Sequence, residues 1–107
     1  MSESLLTLVC PPSLERPISD WLLEYENISG FTSMRAHGHG SDPRVLNLLE
    51  QVEGRKKQVM FQIHMNAVTA EEMMAEFKNA FKGTDIHYWL LPVIEAGHLD
   101  NNSNIRD

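Results

Sequence analysis

QVMFQIHMNAVTAEEMMAEFKNAFKG, residues 58–83, changes its hydrophobic period partway along. Val59, Phe61, Ile63 and Met65 alternate with Met60, Gln62 and His64, the period of two that sends successive side chains to opposite faces of a strand. Further on, Met73, Phe77, Ala80 and Phe81 recur at three and four, the spacing of one helical face. Thr69 with Glu72 reads as a capping box, Val68 and Met73 as its hydrophobic staple, and Gly83 as the stop. A strand running into a helix is therefore predicted, followed by a strand over Ile86 to Leu91 that Pro92 closes.

Upstream, the short apolar run from Leu5 to Val9, with β-branched Thr7 and Val9, predicts a strand that ends at Cys10-Pro11-Pro12, because consecutive prolines lack the donors a ladder needs. Leu14, Ile18, Trp21, Leu22 and Tyr25 then mark a helical face. Pro17 is tolerated only in a first turn, so this helix starts between Ser13 and Pro17. After turn chemistry at Asn27 to Gly30, Phe31, Ser33, Arg35, His37 and His39 alternate with Thr32, Met34, Ala36 and Gly38 as a second strand. Val45, Leu48, Leu49 and Val52 predict a short helix between Asp42-Pro43 and Gly54; the rival is a two-stranded excursion turning near Glu53-Gly54.

Strand, helix, strand, strand, helix, strand is the order of an α+β, ferredoxin-like βαββαβ sandwich. Its antiparallel sheet carries two helices on one face and has strands one and three at its centre, with the short helix inserted between strands two and three. One domain is expected over residues 1–107, with a polar tail at 97–107. Two helices cover one sheet face only. Either Leu6, Leu8, Trp89 and Leu91 or Leu5, Val9, Tyr88 and Leu90 must point away from them, and such a face is expected to be buried in a homo-oligomer.

Composition narrows the function. A formal charge of −6 opposes contact with phosphate backbones and anionic lipid, so nucleic acid is not an expected partner. No apolar run approaches the roughly 20 residues that span a bilayer, and no basic-then-apolar leader opens the chain. Direct membrane insertion is therefore not expected. The single cysteine, Cys10, cannot form an internal disulfide, and a cytoplasmic home is expected.

Gly30 through Gly40, GFTSMRAHGHG, resembles the second strand of PII-type signalling proteins, which leads through Gly-x-Gly into their long functional loop. Ile86 to Ala96, ending Pro92-Val93-Ile94-Glu95-Ala96, resembles their last strand. Glu50 to Arg55 before strand three is similar to a PII-like family of unknown function from proteobacteria, whose members tend to accompany heavy-metal efflux systems. The resemblance covers Leu5 to Ala96. It implies a trimer with sheets facing a common axis, ligands in clefts between subunits, and a loop that contacts a regulated protein such as a membrane transporter. On this chain it places ligand binding at Gly38, His39 and Gly40, and partner contact at Val45, Leu48, Leu49 and Arg55. ATP is not expected: the turn Gly83-Thr84-Asp85-Ile86 lacks the family's phosphate-binding lysine, and Arg106 is the only arginine after Ala96.

His37 and His39, two apart on a strand, project to one side about 6.5–7 Å apart along the backbone. They are the candidate ligands for a divalent transition metal completed by another subunit. That is the alternative reading, a CutA-like metal-binding accessory protein. His64 and His87 read as sheet-face residues, and the methionines as core filling. No Gly-x-Ser-x-Gly, Cys-x-x-Cys or phosphate-cradling loop is present, so no catalytic residue is assigned. The enzyme alternative is a ferredoxin-like barrel with a pocket between sheet and helices, but Trp21, Tyr25, Phe77 and Phe81 are expected to fill that space.

Overall fold

The computed structural model describes residues 2–39 and 55–100. Strand β1 (Glu3–Cys10) leads through a 3-10 turn (Pro12–Leu14) into α1 (Glu15–Glu24); β2 (Thr32–Gly38) and β3 (Lys56–Asn66) follow, then α2 (Ala67–Ala80) and β4 (His87–Val93). The sheet runs β2-β3-β1-β4 with every neighbouring pair antiparallel, so β1 and β3 are central as expected. The segment assigned above to a short helix or its rival excursion lies outside the described residues.

Register fixes the two faces. Leu6 lies opposite Ile63, Leu8 opposite Phe61 and Cys10 opposite Val59, and all six are buried against Ile18 and Leu22 of α1 and Ala70, Met73 and Phe77 of α2. Between the helices runs an aromatic seam: Trp21 stacks on Tyr25 at 5.3 Å and meets Phe77 edge-on at 5.2 Å. Burial first, then the Glu76 and Glu72 carboxylates of α2, raise the Tyr25 hydroxyl above its ordinary pKa.

The helix-free face needs a correction. Thr7 pairs with Trp89 and Leu8 with Tyr88, so Trp89 and Leu91 share their face with Leu5 and Val9, not with Leu6 and Leu8. A one-residue offset between β1 and β4 cannot be read from either strand alone. This face also carries Met34 opposite Met60, and His64, whose Nε2 lies 3.0 Å from Glu3 Oε1.

Two boundaries differ from expectation. Helix α2 starts at Ala67, where Asn66 is the cap: its Oδ1 accepts the Thr69 N–H at 2.8 Å, while the Ala67 N–H donates to Ser2 O at 3.1 Å. Thr69 is therefore inside the helix, and Val68, 65% exposed, staples nothing. Asn66→Ala is expected to cost about 1 kcal/mol in urea unfolding, and Thr69→Ala less than about 0.5 kcal/mol. Strand β4 runs through Pro92 to Val93, because an edge strand tolerates a missing outward donor.

Candidate functional site

Pro11 and Pro12 end β1 at Cys10, which pairs with Val59. Beyond that row β3 continues toward its start as Gln58, Lys57 and Lys56, paired only with β2 at Ala36, His37 and Gly38. The sheet is thus notched where its central strand stops. Lys56 crosses the notch: its Nζ lies 3.1 Å from Asp85 Oδ2, in the turn that feeds β4. The lysine side chain is largely buried while its partner is exposed.

Gly38 sits at the edge of this notch. The side-chain amide of Gln58 lies where a Cβ at position 38 would sit, so a side chain there would have to push this flexible amide aside. His37, on the helix side of β2, is exposed, as is His39 just past the strand. Among the described residues no three His, Cys, Asp or Glu side chains gather in a way that could hold a metal. His37 lies opposite Lys57, whose ammonium group opposes a second cation nearby.

Arg35, Arg55, Lys56 and Lys57 are four of the chain's nine lysines and arginines and lie along or just before this end of β2 and β3, with Arg35 and Lys57 on the helix side of the sheet and Lys56 on the other. Gly40, Val45, Leu48 and Leu49 lie outside the described residues; Arg55 is exposed immediately before β3. Sequence reading missed Lys56, Gln58 and Asp85. Its signal was the Pro11-Pro12 stop, which implies that the longer neighbouring strand overhangs.

A second concavity lies at the other edge, between α2 and β4. It holds about 180 Å³ over Met74, Phe77, Phe81, Ile86 and Tyr88, with Lys78 and Lys82 on its wall. Its lining contains no histidine or carboxylate, and Trp89 points to the opposite face. Cys10 is buried; loss of water contact, then the Glu15 carboxylate, push its thiol up to about 11. It is no nucleophile at neutral pH.

A four-stranded antiparallel sheet backed by two helices is the ferredoxin-like fold, the arrangement also seen in PII proteins. The chain belongs to the family described as "Protein of unknown function (DUF3240)", whose model matches residues 1–100. A DUF3240 family protein from Shewanella baltica OS155 superposes with a TM-score of 0.74 at 23% identity, over 94% of this chain and 99% of that one. The Bacillus subtilis GlnK–ATP complex gives 0.62 at 12% identity over 86% and 82%. A Bacillus cereus protein related to NIF3 gives 0.60 at 10% identity over 88% of this chain and 26% of that one. These likenesses concern the fold. No curated protein matches the chain. Among the described residues no helix is long and apolar enough to cross a membrane.

Proposed function

We propose that this chain is a cytoplasmic regulator of the PII-like kind, not an enzyme, and that it works as a trimer. Its ligand site is the notch, with Gly38, His39 and Gly40 contributing from one subunit and a neighbour closing the cleft. The loop after β2, with Val45, Leu48, Leu49 and Arg55, meets the regulated protein, a membrane transporter or another partner. The observation that carries this reading is the cationic, Gln58-roofed corner at Gly38, in a fold shared with GlnK, whose solved form is an ATP complex. ATP itself is not the expected ligand, since the turn at Gly83 lacks a lysine after its glycine; Lys56 reaches that turn from β3 but is already paired with Asp85.

A thermal scan against nucleotides, other small anions and divalent metals tests the site. A true ligand at a hundred times its Kd stabilises the native form by about 2.7 kcal/mol and raises the midpoint by several degrees. No shift with any anion would remove the notch as an anion site. The metal-binding alternative, CutA-like, rests on the exposed pair His37 and His39. Under it, titration with a divalent transition metal shows a loss of affinity in the double variant His37→Ala, His39→Ala; unchanged affinity removes it.

A further inference from the structure

Past β4 the chain carries two large apolar side chains that touch almost nothing: Ile94 is 102% and Leu99 104% exposed. Glu95 stands between them in sequence and is also exposed. At the opposite end of β4, the α2–β4 cleft offers what this segment lacks. Its floor is apolar, its volume of about 180 Å³ is several times that of a water molecule, and Lys78 near the end of α2 and Lys82 in the turn after it stand on its wall. Lys78 Nζ lies 5.5 Å from the centre of the Tyr88 ring, which keeps one positive charge beside the opening.

The chain's own segment does not reach this cleft. Ile94 follows Val93, about 20 Å along the strand from the row of Ile86 to His87, and residues 94–99 are exposed. We propose that residues 94–100 of one copy dock in the α2–β4 cleft of the next, Ile94 and Leu99 entering the apolar floor and Glu95 facing Lys78 and Lys82. This deepens the trimer reading and rests on it. Copied around a threefold axis, each subunit gives one arm and receives one, so the exchange closes after three chains.

The test is disulfide trapping in the full chain, with Leu99→Cys paired with Lys82→Cys and, separately, Ile94→Cys paired with Lys78→Cys. Native Cys10 is buried with a raised pKa, so it does not compete. After mild oxidation, denaturing gels are expected to show a shift from the one-chain band to a covalent three-chain band with at least one pair, and no shift with any single cysteine variant. One-chain bands with both pairs overturn the proposal, whether the thiols remain free or are consumed by closure of the arm on its own body. Light scattering of the unoxidised protein separates the cases: a trimer without cross-links fails the arm and spares the assembly, whereas a monomer fails both.

Discussion

Phe61→Ala is expected to cost about 3–5 kcal/mol, the range for emptying a buried aromatic site. Phe61 is fully buried on the helix side of β3, opposite Leu8 on one neighbour and Ser33 on the other, with its ring 5.9 Å from that of Phe31. Few rearrangements can refill that space. The backbone is fixed by ladders on both sides, and the surrounding Leu8, Ile63 and Met73 are themselves fully buried. Against a typical domain stability of about 5–15 kcal/mol, the loss removes a large share of the total. Urea unfolding followed by circular dichroism gives the figure directly. Val68→Ala, at an exposed helix position, is the matched control and should change stability by less than about 0.5 kcal/mol. A Phe61→Ala cost below about 1 kcal/mol would mean that this face of the sheet is not the core.

If the protein works as the proposed trimer, Trp89→Asp is expected to convert it to a monomer. Trp89 and Leu91, 38% and 50% exposed, stand on the helix-free face beside Leu5 and Val9, with Met60 and Met34 on the same face two and three strands over and His87 edge-on to the indole at 5.5 Å. A carboxylate there must stay hydrated, and burial between subunits without a partner charge costs several kcal/mol per ion. Three copies meeting at one axis would carry three such charges. Light scattering of the variant should give one third of the wild-type mass while the far-ultraviolet spectrum is retained. Val68→Asp, on the outer surface of α2, should leave the mass unchanged. A Trp89→Asp trimer would show that the assembly does not use this face.

The element order was legible because each period stood clear of its neighbours. The alternation at Val59 to Met65, the helical faces at Ile18 to Tyr25 and Met73 to Phe81, and the double proline after Cys10 all correspond to observed elements. The failures arose where a long-range choice competed with a local one. Asn66 is as good a cap as Thr69, and the choice is made by Ser2, which binds the Ala67 N–H from a distant part of the chain. The assignment of Trp89 and Leu91 to a face depended on register between strands some eighty residues apart, which neither strand encodes alone. For the site, Gly38 and the two histidines were visible as a motif at a strand end. Lys56, Gln58 and Asp85 became visible only once pairing with β2 and the early end of β1 had put them around one gap.

Pro92 has a further consequence for how the protein behaves at high concentration. An outer strand with apolar residues on both faces is the kind of border onto which stray chains add indefinitely, building fibres. A ring that cannot offer a hydrogen at this position interrupts the ladder any such newcomer would need, after the few residues from His87 to Leu91. Pro92→Ala should therefore leave the folded unit sound yet make concentrated solutions turn turbid on storage.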